Sequence, residues 1–592
     1  MHVLAHEAPP AGGAEFSQVL IAAAMSALVF VPVLLFVVAE RAGRGNVLGR
    51  LADRVADRTG LPRWAGLPMG LAGLSGVSAL VGVYWDVPIH MELGRDEGPL
   101  ANPSHFPIYF GLMGILASGI VSAALARDPL PARTIKVTGN WRVPLGSVQM
   151  TATGLVGVAG FPLDDVWHRL FGQDVTEWGP THILMIGGGV GVVIGLQLLL
   201  AEARQVGAHG RLVRLLGPLL AGAWLMGAST FLMEFDLGVP QFPMLAQVVL
   251  VGLVGAWTLT VGRLSWGPGG TLIVLGVLLG SRVLFSVIPA LNDLHLAVPL
   301  PYVAEAVVVE AAALFATRWR FALVAGVGAG TVGMLGEAAL STFLMPNPWP
   351  AQQLAWFVVY GTAAAVAGAL IGVWQHERIE EVAERAESAG PRHLPGLVGA
   401  LAAVGLMAAV AVPQDPPPLS GAVRLTDAAT GFEVSNPNSD AAPRWVHATV
   451  TLEHPVEDAV WLNGFAWQGG DFATTPLERV GDGVYRTAQP LPVYGQWKSG
   501  VRLHTPDGVM AILPLYAPAD PAANAPAIEA RDGARAFMAE IDFLQRERKS
   551  DTPAVLWAVA YVVVGLIFAG MWVLFAWLYA GAARVRGVHR AV

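Results

Sequence analysis

Residues 84–105 read YWDVPIHMELGRDEGPLANPSH, and residues 163–182 read LDDVWHRLFGQDVTEWGPTH. In each stretch an Asp precedes a His by four positions, and a second Asp follows that His by six. A Pro, a hydroxyl residue and a second His then close the pattern. Each stretch lies between apolar runs long enough to cross a bilayer. A carboxylate and two imidazoles at a membrane boundary need a polar partner, and a single metal ion could bind all three.

The composition is typical of a multi-pass membrane protein. Of the 592 residues, 54% are hydrophobic and 14% are charged, whereas soluble domains carry roughly 25% charged residues. The chain has no cysteine, which excludes disulfides, thiolate metal ligands and cysteine nucleophiles. Its net charge of -8 argues against nucleic acid as a partner.

The apolar runs predict an all-α polytopic membrane helix bundle of about thirteen spans. An arginine-rich loop at residues 41–63 and a basic tail at residues 584–590 are expected inside, so the N-terminus lies outside and the C-terminus inside. Both repeated stretches then lie at the outer membrane boundary. The expected location is the plasma membrane of a bacterium. The predicted spans are residues 17–39, 65–85, 105–126, 144–163, 182–201, 214–233, 243–262, 270–290, 302–317, 321–344, 353–374, 394–412 and 554–580.

The spans and a change of composition near residue 412 divide the chain into four parts. Short alternating stretches such as residues 445–452 (WVHATVTL) predict an extracytoplasmic β-sandwich before the last span, with a helix at about residues 527–547. The parts are residues 1–210, a helical domain with both Asp/His motifs; residues 211–412, further and partly repeated spans; residues 413–552, an immunoglobulin-like β domain plus helix; and residues 553–592, the last span and basic tail.

An Asp and a His four positions apart share one helix face, and the next helix supplies the second His. Three ligands can therefore meet at one point, although a hydrogen-bonded polar cluster is the simpler alternative. Asp96, Asp174 and Arg95 either orient the imidazoles from outside or pair within the loops. The two ligand sets are Asp86, His90 and His105, and Asp164, His168 and His182.

Other polar residues leave similar alternatives open. Glu305 and Glu310 lie within or near a span, where they are either polar contacts inside the bundle or part of a proton or ion path. Three histidines of the β domain are either surface residues or carriers of copper in transit. They are His447, His454 and His504.

Over about residues 65–200 the chain resembles the C subunit of the copper membrane monooxygenases, which include the particulate methane and ammonia monooxygenases. The residues that carry this resemblance are Trp85, Asp86, His90, Arg95, Asp96, Pro103, Ser104 and His105. The resemblance implies a copper site at Asp86, His90 and His105. It implies a second site at Asp164, His168 and His182, where Asp stands in place of the family's Asn, and we assign catalysis to this second set.

The β domain resembles the small domains of the YtkA/FixH type, through Gly483-Val484-Tyr485 and Gly495-Gln496-Trp497. Such domains accompany copper-handling and oxidase-assembly proteins.

The resemblance implies an enzyme that activates dioxygen at copper to hydroxylate a small apolar substrate or ammonia. It would receive electrons from a donor and could associate with other membrane subunits. Imidazole and carboxylate ligands without thiolate suit oxygen-activating copper and exclude a blue-copper centre. The alternative is a protein that transports copper or delivers it during oxidase or oxygenase assembly. A structural metal in an assembly scaffold is a third reading.

Overall fold

A computed structural model shows a mostly helical protein with a β-rich domain near its C-terminus. The described residues are 14–93, 100, 102–172, 176–240, 242–384, 418–434, 441–454, 456, 459–468, 471–506, 509–520, 525–544 and 552–582. The predicted span at 394–412 and the basic tail lie outside them.

The helices follow the apolar runs closely. They are α1 (Phe16–Arg41), α2 (Val47–Thr59), α3 (Arg63–Leu93), α4 (His105–Leu125), α5 (Leu145–Phe171), α6 (Pro180–Gln205), α7 (Arg211–Ala228), α8 (Met233–Leu237), α9 (Met244–Trp266), α10 (Gly270–Leu291), α11 (Val303–Phe315), α12 (Arg318–Gly328), α13 (Met334–Leu344) and α14 (Leu354–Glu384). A 3-10 turn, Ser229–Leu232, joins α7 to α8, and a π turn, Ala329–Gly333, joins α12 to α13.

Within the described residues, ten helical stretches are long and apolar enough to cross a membrane, which supports a bilayer environment. Two predicted spans are not among them. Helix α5 has 27 residues but is more polar, and α11 has only 13 residues, about 20 Å at 1.5 Å per residue.

Two elements were not predicted between the spans. Helix α2 forms inside the expected arginine-rich loop, where the Asn46 side chain accepts a hydrogen bond from Gly49 N at 2.6 Å and caps its start. A hairpin of β1 (Thr134–Thr138) and β2 (Trp141–Pro144) connects α4 to α5. The helical part of the molecule is therefore not purely α.

The C-terminal domain is an antiparallel sheet folded back on itself. Strand β6 pairs with β5 through its first half and with β7 through its second half, so it joins two halves of one sheet. Val423 and Val450 of one half share a core with Val501 and Leu513 of the other. The strands are β3 (Ser420–Ala428), β4 (Trp445–Leu452), β5 (Trp461–Gln468), β6 (Asp471–Gly481), β7 (Val484–Thr487), β8 (Leu491–Pro492), β9 (Lys498–His504) and β10 (Met510–Tyr516), with β11 and β12 following.

The predicted helix at residues 527–547 is wrong. The segment contains β11 (Gly533–Ala536), β12 (Met538–Ala539) and a single helical turn, α15 (Glu540–Phe543). Its Ala, Arg and Glu residues favour a helix locally. The free edges of β3 and β10 instead pair with β11 and β12 and satisfy their backbone groups. The last membrane helix is α16 (Ala554–Ala582).

The β domain packs against one end of the helices. Arg502 Nη1 donates to Gly238 O at 3.2 Å, and the backbone N of Met244 donates to His504 Nε2 at 3.3 Å. A buried ion pair behind this contact joins Arg502 Nη2 to Glu540 Oε1 at 2.5 Å. The domain therefore covers the end of the bundle where α8 meets α9.

Candidate metal centre

The first Asp/His set meets as predicted. Asp86 and His90 lie one turn apart on α3, and His105 is the first residue of α4. His105 Nε2 is 3.0 Å from Asp86 Oδ1, and His90 Nε2 is 3.6 Å from Asp86 Oδ2. The three side chains are 12–16% exposed, so they form a half-buried cluster at the end of a membrane helix.

The Asp86 carboxylate is held by the loop that precedes α4. Ser104 Oγ donates to Asp86 Oδ1 at 2.5 Å, and Asn102 Nδ2 donates to the same oxygen at 2.9 Å. The Ser104 backbone N donates to Asn102 Oδ1 at 3.1 Å, which orders the loop itself. The carboxylate is thus oriented by neutral donors, while its Oδ2 faces His90.

The second set repeats this arrangement between α5 and α6. Asp164 Oδ2 is 3.6 Å from His168 Nε2, and Asp164 Oδ1 is 3.5 Å from His182 Nε2. Thr181 Oγ1 donates to Asp164 Oδ1 at 2.6 Å, as Ser104 does in the first set. His182 Nδ1 lies 2.6 Å from the backbone O of Thr176, which fixes the ring orientation.

The helix pairs that carry the two sets are structural copies. A Cβ added to Gly82, four residues before Asp86, would lie 2.8 Å from Ser104 O. A Cβ on Gly160, four residues before Asp164, would lie 3.1 Å from Thr181 O. In both copies a glycine therefore lets the second helix approach closely enough for its first His to reach the Asp.

A second close approach recurs further along each pair. A Cβ on Gly111, six residues after His105, would lie 2.6 Å from Ala79 N. A Cβ on Gly188, six residues after His182, would lie 2.4 Å from Gly157 N. These glycines are a sequence signal that extends the repeat beyond the polar motif.

The two sets lie at the same end of the helices and close to each other. The rings of Tyr109 on α4 and Phe161 on α5, each about one turn from its set, have centroids 4.6 Å apart. His105 is close enough to Asp164 to act electrostatically on its carboxylate. The tertiary fold therefore brings the two copies side by side.

The first set fits a metal ion. One ligand atom from each of Asp86, His90 and His105 can be chosen so that all three lie within 4.8 Å of one another. Ligand atoms held about 2.0–2.2 Å from one ion lie at most about 4.4 Å apart, so these three atoms need to move little to bind a common ion. Within the described parts of the chain, this is the one group of three such residues whose ligand atoms lie this close together. The side chains of the second set would therefore have to move closer to one another to hold an ion.

The residues predicted to surround the ligands lie outside the described part of the chain. They are Arg95, Asp96 and Asp174. Arg169, on the last turn of α5, has its Nε 2.9 Å from Asp165 Oδ2 on the same helix.

The histidines of the β domain differ in environment. His504 is buried against Trp461, with ring centroids 5.0 Å apart, at the contact with the helices. His447 is half-buried, with Nδ1 3.0 Å from Thr487 O, and His454 is exposed. Of these three histidines, only His454 has the exposed position expected of a surface residue.

Sequence reasoning missed a buried acidic cluster beside the second set. Glu234 and Asp236 directly follow the predicted span at residues 214–233; both lie in α8, and they are 3% and 2% exposed. Glu177, in the loop before α6, is 3% exposed, and its backbone N donates to Glu234 Oε1 at 3.0 Å. Arg282 of α10 pairs with Asp236 at 2.8 Å. Their scattered positions along the chain gave no local pattern.

The two glutamates of α11 have different surroundings. Glu305 is fully buried and lies beside Glu337 of α13. Glu310 forms an ion pair with Arg263, with Oε2 and Nε 2.9 Å apart. Glu310 is therefore a polar contact inside the bundle, as one of the two readings expected.

An apolar cavity of about 530 Å³ lies below the first set. Val83 and Ile108 in its wall are three residues from Asp86 and His105 respectively, about one helical turn away. Leu112, Met185 and Phe285 also line it. An apolar molecule in this cavity would lie close to the first Asp/His set.

Comparisons of the chain with protein-family models, curated proteins and solved structures find no match. Functional inference therefore depends on the residues and geometry of the site itself.

Proposed function

We propose that this chain is a copper-binding integral membrane protein that activates dioxygen to hydroxylate a small apolar substrate or ammonia. The convergence of the Asp86, His90 and His105 ligand atoms at the end of two membrane helices carries the proposal. Two imidazoles and a carboxylate suit Cu(II) and leave coordination positions open. The residues that would hold copper are Asp86, His90 and His105 in one set, and Asp164, His168 and His182 in the other.

The chain's own residues contribute orientation and access. Ser104 and Asn102 orient the Asp86 carboxylate, and the apolar cavity offers a path for molecules dissolved in the bilayer. Bound copper would supply dioxygen activation. The overall reaction joins one substrate, one dioxygen, two electrons and two protons into a hydroxylated product and water. The electrons would come from a reduced donor such as a quinol.

The second set is proposed as the catalytic one, because the resemblance to the copper monooxygenases places their second site there. The proposed topology has both sets and the β domain outside a bacterial plasma membrane. The arginines of α2 and its flanking loops support it by the positive-inside rule.

The first test is the metal content of the purified protein. We expect copper in the wild type, reduced occupancy in His90→Ala and in His168→Ala, and no change in His209→Ala. His209 is exposed in the loop between α6 and α7, and its Nδ1 lies 2.7 Å from Gly207 O, so it is a matched control. Unchanged copper in both His90→Ala and His168→Ala would refute the metal proposal.

Copper transport or delivery is the second candidate, because the β domain covers the same end of the helices as the two sets. Oxygen consumption by the copper-loaded protein with an added quinol, lost in His168→Ala, favours the enzyme. Copper that exchanges freely, with cellular copper uptake dependent on the chain, favours transport instead.

A further inference from the structure

Glu177 and Glu234 bring two buried carboxyl groups together beside the second Asp/His set. The Glu177 backbone N donates to Glu234 Oε1, and the two side chains interact at close range. Among the described residues, neither carboxyl oxygen of Glu177 has a hydrogen-bond partner. Two ionised carboxylates so placed would repel each other in a low-dielectric interior.

Arg282, the base described in this cluster, pairs with Asp236, because its Nη2 lies 2.8 Å from Asp236 Oδ2. The Asp236 and Glu234 carboxyl groups both lie within electrostatic reach of Glu177, so ionisation of all three would place three negative charges near one another.

Further polar groups point into the cluster. The Tyr84 ring lies 4.4 Å from the Arg282 guanidinium, and its hydroxyl lies within electrostatic reach of Asp236 and Glu177. Tyr84 is 3% exposed and Arg282 is 4% exposed. In the described structure the Tyr84 hydroxyl and Arg282 Nη1 have no hydrogen-bond partner of normal geometry. The cluster thus holds unpaired donors as well as carboxyl groups.

We propose that Glu177 and Glu234 form a proton-binding carboxyl pair that holds one shared proton at neutral pH. A proton suits this place better than a metal ion, because the described carboxyl groups here do not form a group of three converging ligands. A shared proton removes one of the two facing charges and lets one carboxyl donate to the other.

The electrostatics of Glu177 support the pair. Burial raises the pKa of the Glu177 carboxyl well above its usual value, and the nearby Glu234 and Asp236 carboxylates raise it further. The folded protein then binds this proton more tightly than the unfolded chain does. Its contribution to stability is present at low pH and is lost as the pH rises towards the folded-state pKa.

The location of the pair gives it a role. Glu177 follows Thr176, whose backbone O lies 2.6 Å from His182 Nδ1. The pair is therefore a proton reserve beside the second Asp/His set, where reduction of dioxygen consumes protons. This role depends on the proposed function, whereas the bound proton does not.

Infrared spectroscopy of the full-length protein at neutral pH tests the pair. The C=O stretch of a protonated carboxyl should disappear from the wild-type spectrum in Glu177→Gln and in Glu234→Gln, and it should shift in D2O. Glu310→Gln is the control, because Glu310 forms an ion pair with Arg263 away from this cluster. Loss of the band in either glutamine variant, with the band kept in Glu310→Gln, supports the pair whether or not the chain binds copper.

Two results would overturn the proposal. One is an unchanged protonated-carboxyl band in both glutamine variants. The other is a bound calcium, magnesium or sodium ion that elemental analysis finds in the wild type and misses in Glu177→Gln. The copper content of His90→Ala and His168→Ala tests the metal proposal, whereas the infrared band tests the proton pair. Either proposal can therefore fail without the other.

Discussion

At Asp86, two short hydrogen bonds from neutral side chains decide where the carboxylate points. Ser104 is fully buried and gives the 2.5 Å contact, and the same position in the second copy carries Thr181 with a 2.6 Å contact to Asp164. A hydroxyl in each copy thus orients the acidic ligand through its Oδ1. Replacing a group that orients a metal ligand in this way typically lowers metal affinity by about 10–100-fold.

Ser104→Ala should therefore weaken copper binding at the first set by about 10–100-fold. The cause is loss of the donor to Asp86 Oδ1. Competition titration with a copper chelator measures the dissociation constant. Ser104→Thr is the control, since it keeps the hydroxyl that the second copy uses at Thr181. Equal weakening in both variants would point to packing rather than hydrogen bonding.

At the level of elements, each Asp/His set depends on two helices packed nearly backbone to backbone. The approach of α4 to α3 needs a residue without a side chain at Gly82. The same approach of α6 to α5 needs Gly160. Small residues at helix contacts have this effect in membranes, where close packing replaces the hydrophobic drive.

Gly82→Ala should destabilise the α3–α4 pair by about 1–3 kcal/mol. The new methyl group would lie within 2.8 Å of the Ile108 and Ser104 backbones. Thermal unfolding in detergent should show a lower midpoint, and copper occupancy at the first set should fall with it. Gly76→Ala on the same helix is the matched control, because a Cβ there meets no atom within 4 Å. A midpoint that falls equally in both variants would contradict the packing argument.

At the level of the whole molecule, the β domain and the two Asp/His sets share one end of the helix bundle. Arg502 ties the domain to the α8–α9 connection, and the loop before α6 contacts α8 through Glu177. The domain and the ligand sets therefore lie at the same end of the helices, which the arginine distribution predicts to be the outer side.

The absence of cysteine makes the topology directly testable. In Asp482→Cys, a membrane-impermeant maleimide should label intact cells, because Asp482 is 89% exposed on the β domain. In Asp57→Cys, on the exposed face of α2, labelling should require permeabilised cells. The reverse pattern would place the β domain and both ligand sets in the cytoplasm.

The sequence alone specified the features that depend on local chemistry. The length of the apolar runs predicted most of the membrane helices. The alternation of apolar and polar residues at 445–452 predicted β4 at its observed bounds. The spacing within each motif placed an Asp and a His on one turn with the second His at the next helix start. These features follow from the geometry of single elements and their immediate neighbours.

Only the tertiary structure decided which distant residues meet. Residues 531–539 have helix-favouring composition, but the edges of β3 and β10 turn part of the segment into strands. Glu177, Glu234 and Arg282 lie far apart in sequence and share no period, so their common buried site depends on how the helices pack. Local preferences set the elements, whereas burial and long-range pairing set which charges must face one another.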